Sequence, residues 1–256
     1  MSTEKEIKIN KLLQKAPHDA VWLASWLVRN DISHDLQKRY VKSGWLEKIG
    51  TGAFKRKGED VNWLGGVYAI QKQANKSIHI GGLTALNLQG FAHYLRSSEE
   101  YQLFSPKRHN LPEWFKEYHW DNAAISLYRT SFLGNVKDSL QEYEQPNFTV
   151  TISSPERAIL EALYLCPKNA DLVEVYQILE GMVNLRPKLL QTLLEDCSSV
   201  KVKRLFFYMA KKADHQWRKF LDLKKIDLGK GRRSLDKGWL TITEYNINVP
   251  KELDDL

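Results

Sequence analysis

Residues 21–57 read VWLASWLVRNDISHDLQKRYVKSGWLEKIGTGAFKRK, and their order decides the fold of the amino-terminal part. Val21 to Arg29 carries Val21, Leu23, Trp26, Leu27 and Val28, which predicts a short apolar helix. Asn30-Asp31-Ile32 turns the chain. Ser33 is placed to accept hydrogen bonds from the free N–H groups at the start of the next helix, and Gly44 suits a left-handed stop at its end. Trp45 to Ile49 then reads as a strand, Gly50-Thr51-Gly52 as a tight loop tip, and Ala53 to Lys57 as a returning strand. Preceded by a helix over Ile7 to Lys15, this order predicts a winged helix-turn-helix, a fold whose usual partner is duplex DNA.

The charges follow the same plan. With Leu36 at zero and about 100° per residue, Tyr40 falls near 40° and shares its buried face. His34, Asp35, Gln37, Lys38, Val41 and Lys42 fall on the opposite side. Gln37 has the amide that pairs with adenine edges, Lys38 and Lys42 reach guanine or phosphate, and His34 adds an imidazole to this candidate DNA-binding face. Thr51 marks the tip of the wing, and Lys48, Lys55, Arg56 and Lys57 are expected beside the duplex backbone. The plainer alternative is a winged helix used for protein docking, with a solvated basic face.

Outward from this stretch, the polar hinge Gly58-Glu59-Asp60 places a domain boundary between Lys57 and Ile80. We divide the 256-residue chain into a winged helix-turn-helix at 1–70 and a larger mixed α/β domain at 71–256, an α+β protein overall. Val67–Ile70, Tyr101–Phe104, Ala124–Tyr128, Phe148–Ile152 and Leu240–Val249 read as strands. Gly82–Phe91, Leu172–Met182, Pro187–Glu195 and Ser199–Lys212 read as helices. Ser154-Pro155-Glu156 is a strong helix start: a capping hydroxyl, a proline in the first turn and an acid at the positive end of the dipole.

Net charge is +7, unevenly distributed. Residues 1–60 hold 12 basic and 8 acidic side chains, and residues 200–240 hold 13 and 4, while the segment between them is mildly acidic. Two basic blocks of this kind favour a polyanionic partner. The second block includes Lys201, Lys203, Arg204, Lys211, Lys212, Arg218, Lys219, Arg232 and Arg233, a candidate second nucleic-acid surface. Phe206, Phe207, Tyr208 and Trp217 are interleaved with it at a spacing that fits a buried helix better than a base-stacking platform.

Two cysteines without a CxxC pair exclude a zinc ribbon or a disulfide framework. The amino terminus lacks the apolar core of a signal peptide and no run of apolar residues is long enough to span a bilayer, so a cytoplasmic protein is expected. GxxxxGK[ST], GxSxG and HExxH are absent. The histidines, His93 and His119 among them, lack metal-ligand spacing and read as surface or satisfied core groups. Asp222-Leu223-Lys224 has the D-x-K form of some metal nucleases but no partner acid in sequence, and Glu156 is read as a helix-start acid. No enzyme, metal or cofactor is therefore expected; a metal-dependent nuclease with a winged-helix targeting domain is the alternative.

Three passages resemble the AbiEi family of antitoxins of type IV toxin–antitoxin systems: LEKIGTGAFKR at 46–56, SIHIGGLTALNLQGFAHYL at 77–95 and FTVTISSPERAILEAL at 148–163. The resemblance implies a DNA-binding repressor of its own operon, acting on an operator of inverted repeats with several protomers. It also implies a carboxy-terminal domain that counters a nucleotidyltransferase toxin without requiring a stable complex with it. The residues of the third helix and wing named above match the family's DNA-reading elements.

Overall fold

The computed structural model describes residues 2–91, 100–120 and 123–256, with side chains described from residue 8 onward. Two sequence readings, His93 and the end of the second passage (residues 92–95), fall outside these residues.

The first unit runs α1 (Ser2–Lys15), β1 (Trp22–Leu23), α2 (Ala24–Arg29), α3 (His34–Lys42), β2 (Leu46–Gly50) and β3 (Ala53–Arg56). The three strands pair in the order β1-β3-β2, all antiparallel. This is winged-helix topology, with β2 and β3 forming the wing. The second helix starts three residues later than the sequence reading because Trp22 and Leu23 pair with Phe54 and Ala53 instead. The expected brackets of α3 are present: Ser33 Oγ accepts from the Leu36 N–H, and Gly44 adopts φ +74°. Ile9, Leu12, Trp22, Leu27, Ile32, Tyr40 and Leu46 close a small apolar core, all buried.

The chain continues through α4 (Trp63–Tyr68), whose last turn widens into a π-helical turn at Ala69–Gln73. A strand was expected at Val67–Ile70. The segment is instead helical, started by the Asn62 side chain accepting from the Gly65 N–H at 3.2 Å. A short fully buried apolar run looks the same in sequence whether it is strand or helix. Then follow β4 (His79–Ile80), α5 (Gly82–Leu88), β5 (Glu100–Ser105), α6 (Glu113–Glu117), β6 (Ala124–Arg129), β7 (Leu140–Glu144) and β8 (Thr149–Ser153). These strands make a five-stranded mixed sheet in the order β6-β5-β4-β8-β7, parallel at β5/β6 and β4/β8. The strand at Leu140–Glu144 and the short α6 were not legible in the sequence.

A helical layer completes the larger lobe: α7 (Pro155–Leu165), α8 (Leu172–Gly181), α9 (Pro187–Asp196) and α10 (Val200–Lys212). After two 3₁₀ turns come the hairpin β9 (Leu240–Ile242) and β10 (Ile247–Val249), then α11 (Lys251–Asp255). The expected single strand at 240–249 is this hairpin, because Asn246 turns the chain at φ +50°.

The two parts are locked together by polar and steric contacts. The Gln73 amide imitates a neighbouring strand: its oxygen accepts from the Leu23 N–H and its nitrogen donates to the Val21 carbonyl, both at 2.8 Å. The Arg29 guanidinium donates to the Gln73 carbonyl at 2.5 Å. Gly50, at the end of β2, lies so close to α6 that a Cβ there would sit 2.6 Å from Trp114 Cβ. The wing is thus seated on the larger lobe.

Candidate nucleic-acid interface

The cap at Ser33 and the buried Tyr40 fix which way α3 presents its charges. His34, Lys38, Arg39, Val41 and Lys42 are exposed. Asp35 shares that face and pairs with Lys38 at 3.5 Å, both side chains largely solvated. Such a pair contributes little to stability and is free to exchange for a phosphate. Arg39, absent from the sequence reading of this face, lies exposed in the last turn of the helix.

Gln37 is not a base reader. It is 2% exposed, and its amide nitrogen donates to the Ala24 carbonyl at 3.1 Å and the Ile32 carbonyl at 2.9 Å. It ties α3 to α2 and to the turn between them, on the side of α3 that α2 covers. Gln37→Ala is expected to lower stability by about 1–3 kcal/mol by leaving buried carbonyls without those donors, as read by urea denaturation.

In the wing, Lys48, Thr51 and Lys57 are exposed. Lys55 is only 12% exposed and pairs with Glu47 at 3.6 Å; the two face each other across the β2/β3 ladder. Lys57 reaches the same carboxylate at 3.6 Å while remaining 61% exposed. Arg56 turns inward. Its guanidinium donates to the Leu13 carbonyl at 2.7 Å, lies 3.3 Å from Glu59 Oε1 and 3.0 Å from His18 Nδ1, and covers the Trp22 ring at 5.6 Å. It fastens the loop after α1 to the wing, so it is a structural strut and not a phosphate contact. The α3 and wing cations that reach solvent are therefore Lys38, Arg39, Lys42, Lys48 and Lys57, with His34 beside them.

The carboxy-terminal basic block divides in a similar way. The Lys201 ammonium donates to the Tyr164 and Cys166 carbonyls, both at 2.6 Å. Lys203 and Arg204 are 4% and 2% exposed. All three were expected on a surface; they are packing and mooring groups. Lys211 pairs with Glu244 at 2.5 Å, and Lys212 donates to the Asp254 carbonyl at 2.8 Å. Arg218 is half-buried, whereas Lys219, Arg232 and Arg233 are exposed. Phe206, Phe207, Tyr208 and Trp217 lie in the core, as their spacing implied.

Asp222 and Glu156, the acids weighed for catalysis, have structural partners. Asp222 caps a 3₁₀ turn, accepting from the Lys224 N–H at 3.1 Å. Glu156 is buried and held by Arg186, whose guanidinium donates at 2.8 and 3.0 Å. His119 is exposed. Among the described residues, no group of three or more His, Cys, Asp or Glu side chains is placed to hold a metal ion, and no helix is long and apolar enough to cross a membrane.

A winged helix with an exposed basic third helix, seated on a larger α+β lobe, defines the general class of this protein. Two family models cover nearly the whole chain. One, described as the AbiEi antitoxin N-terminal domain of a transcriptional regulator, matches residues 5–97. The other, described as a transcriptional regulator, AbiEi antitoxin, type IV toxin–antitoxin system, matches residues 98–250. The chain belongs to the AbiEi antitoxin family. Its fold is similar to the crystal structure of the RV2827C protein from Mycobacterium tuberculosis, with TM-score 0.62 and 14% identity over 93% of this chain and 88% of that one. No curated protein sequence matches the chain.

Proposed function

We propose that this chain binds operator DNA through α3 and the wing, represses its own operon, and counters a nucleotidyltransferase toxin without needing to form a stable complex with it. In this reading residues 1–70 are the DNA-binding unit and residues 71–256 the antitoxin lobe, working in the cytoplasm. The observation that carries it is the exposed face of α3, where His34, Lys38, Arg39 and Lys42 gather around a single solvated acid, Asp35. A helix of this length enters a major groove, and the wing residues Lys48, Thr51 and Lys57 then lie along the adjacent backbone. Val41, 36% exposed on the same face, would then meet a thymine methyl. An operator of inverted repeats would engage more than one protomer.

A gel-shift assay on the promoter fragment tests this. Lys38→Ala combined with Lys42→Ala is expected to weaken binding by at least tenfold while leaving the thermal unfolding midpoint unchanged, since both side chains are solvated. Equal binding by this double variant and the unmodified chain would sink the reading. Degradation of the labelled fragment in Mg²⁺ would turn it toward a nuclease.

A further inference from the structure

Between residues 71–79 and the loop that joins β6 to β7, the larger lobe holds a cavity of about 500 Å³, a size typical of small-molecule sites. Arg157 and His79 line it, each only 3% exposed. Arg157 Nε donates to Glu161 at 2.8 Å, and Nη1 to the Gly134 carbonyl at 3.0 Å and Ser139 Oγ at 3.2 Å. His79 Nε2 donates to Glu161 at 2.9 Å. Arg157 Nη2 and His79 Nδ1 are left over: among the described residues they make no hydrogen bond. Neither is sealed from solvent, and both residues line the cavity, so these two nitrogens open onto it. A guanidinium N–H held inside a fold is costly until water or a ligand accepts from it.

The rest of the lining suits an anion with an apolar body. Lys72 and Lys76 stand at the exposed rim, and none of the described lining residues is an acid. Lys72 is held by Glu142 at 2.8 Å, whereas Lys76 forms no ion pair among the described residues. Glu161, behind the floor, balances Arg157, so the attraction comes from the aimed Nη2–H and from Lys76. Ile78, Leu133 and Leu140 supply an apolar wall. A few placed polar groups beside such a wall are the usual make-up of a ligand pocket.

The cavity also reaches the joint between the two lobes. The π-helical turn carries Gln71 and Lys72 into the lining, and the next residue, Gln73, holds the Val21 carbonyl and the Leu23 N–H of the winged helix. Gln71 is itself fixed, its amide donating to the Ile78 carbonyl at 3.0 Å and the Thr151 carbonyl at 2.9 Å. Single π turns inside helices recur at functional sites. One short, well-bonded turn thus links the cavity to the seat of the winged helix.

We propose that this cavity is an effector site for a small anion, a phosphate monoester or a carboxylate of mononucleotide size or less. The anionic head takes Arg157 Nη2 and Lys76, and the body lies against Ile78, Leu133 and Leu140. Occupancy bears on the turn at Ala69–Gln73, and so on how the winged helix sits and how tightly it holds DNA. That last consequence rests on the operator reading; the site itself does not.

Isothermal titration calorimetry of the full chain with inorganic phosphate, AMP and citrate tests the site without DNA. At least one probe is expected to bind with a Kd of about 1 mM or tighter. Lys76→Glu is expected to weaken it by about tenfold, and Asn135→Trp, which fills the rim, to abolish it. Both positions are exposed, so both variants should keep the fold. The ¹H–¹⁵N signal of the buried Arg157 Nε should shift with the probe that binds. Phosphate or AMP binding without citrate assigns a phosphate head, citrate alone a carboxylate, and both kinds a general anion site. No binding at that level by any of the three, or binding that neither variant alters, would overturn the site. With a bound probe at saturation, affinity for the promoter fragment should change by about fivefold or more; an unchanged affinity would overturn the coupling. Because the calorimetry contains no DNA, its failure leaves the operator reading intact, and failure of the Lys38/Lys42 test leaves the site intact.

Discussion

Glu161→Ala is expected to destabilise the larger lobe by about 3–5 kcal/mol, a large part of the roughly 5–15 kcal/mol that holds a typical domain folded. Glu161 projects from α7 and is fully buried. One carboxylate oxygen accepts from His79 Nε2 at 2.9 Å and from Arg157 Nε at 2.8 Å. The other accepts from Ser153 Oγ at 2.7 Å and the Gly82 N–H at 3.2 Å. The side chain thus joins α7 to β4, β8 and the start of α5 at the centre of the sheet. Removing it leaves the buried Arg157 guanidinium without its counter-charge, although Arg157 keeps the Gly134 carbonyl at 3.0 Å and Ser139 Oγ at 3.2 Å. The arrangement also explains the glycine just before α5: a Cβ on Gly81 would stand 2.1 Å from Glu161 Oε2. Guanidinium denaturation followed by circular dichroism measures the loss, and a change below about 1 kcal/mol would show that the network is replaceable by simple packing.

The same carboxylate contributes to the loss of stability in acid. Burial pushes the pKa of Glu161 up, but His79, Arg157 and Ser153 more than offset it, and the net direction is down. Glu156 behaves alike: burial raises its pKa and Arg186 brings it below the ordinary value. A depressed folded pKa means that the stabilisation is present above the unfolded carboxylate value, about 4.3, and is lost as pH falls through the folded values. Stability should therefore decline steeply below about pH 4.5, and the decline should be shallower in Glu161→Gln, which has one fewer acid to protonate.

What the sequence revealed and what it hid divide along a physical line. The bracket of α3 was legible because a capping serine and a left-handed glycine act within a few residues. The start of α7 was legible for the same reason, with Ser154 Oγ accepting from the Arg157 N–H. Gln37 was misread because the wheel knows where a side chain points but not which neighbour waits there. The Ala24 and Ile32 carbonyls were that neighbour. Arg56 was misread although a signal existed. Successive residues of a strand face opposite ways, so Arg56 shares the inward face of Phe54, not the side of Lys55 and Lys57. Arg204 gave no signal at all, since its four carbonyl partners lie 24 to 42 residues away in the chain. Basic residues were easy to count, but only tertiary structure separated the exposed ones from those that act as struts.

That separation fixes the salt dependence expected of DNA binding, the largest effect in the set. Each phosphate neutralised on B-DNA lowers the slope of log K against log salt by about 0.9. Lys38, Arg39, Lys42, Lys48 and Lys57 are the α3 and wing cations that reach solvent, Arg56 and Lys55 being engaged elsewhere. A slope of about −4.5 per protomer follows, which is a fall of roughly 500-fold in affinity between 50 and 200 mM salt. Two protomers on an inverted repeat would double the slope. Lys38→Ala/Lys42→Ala should flatten it by about 2 per protomer. Arg56→Ala should instead leave the slope alone and lower the unfolding midpoint, because it removes a strut. Filter binding on the promoter fragment across that salt range distinguishes these cases. A slope near −1 would mean that the exposed face of α3 does not meet phosphate. A slope steeper than five cations per protomer can supply would place further contacts on the same duplex.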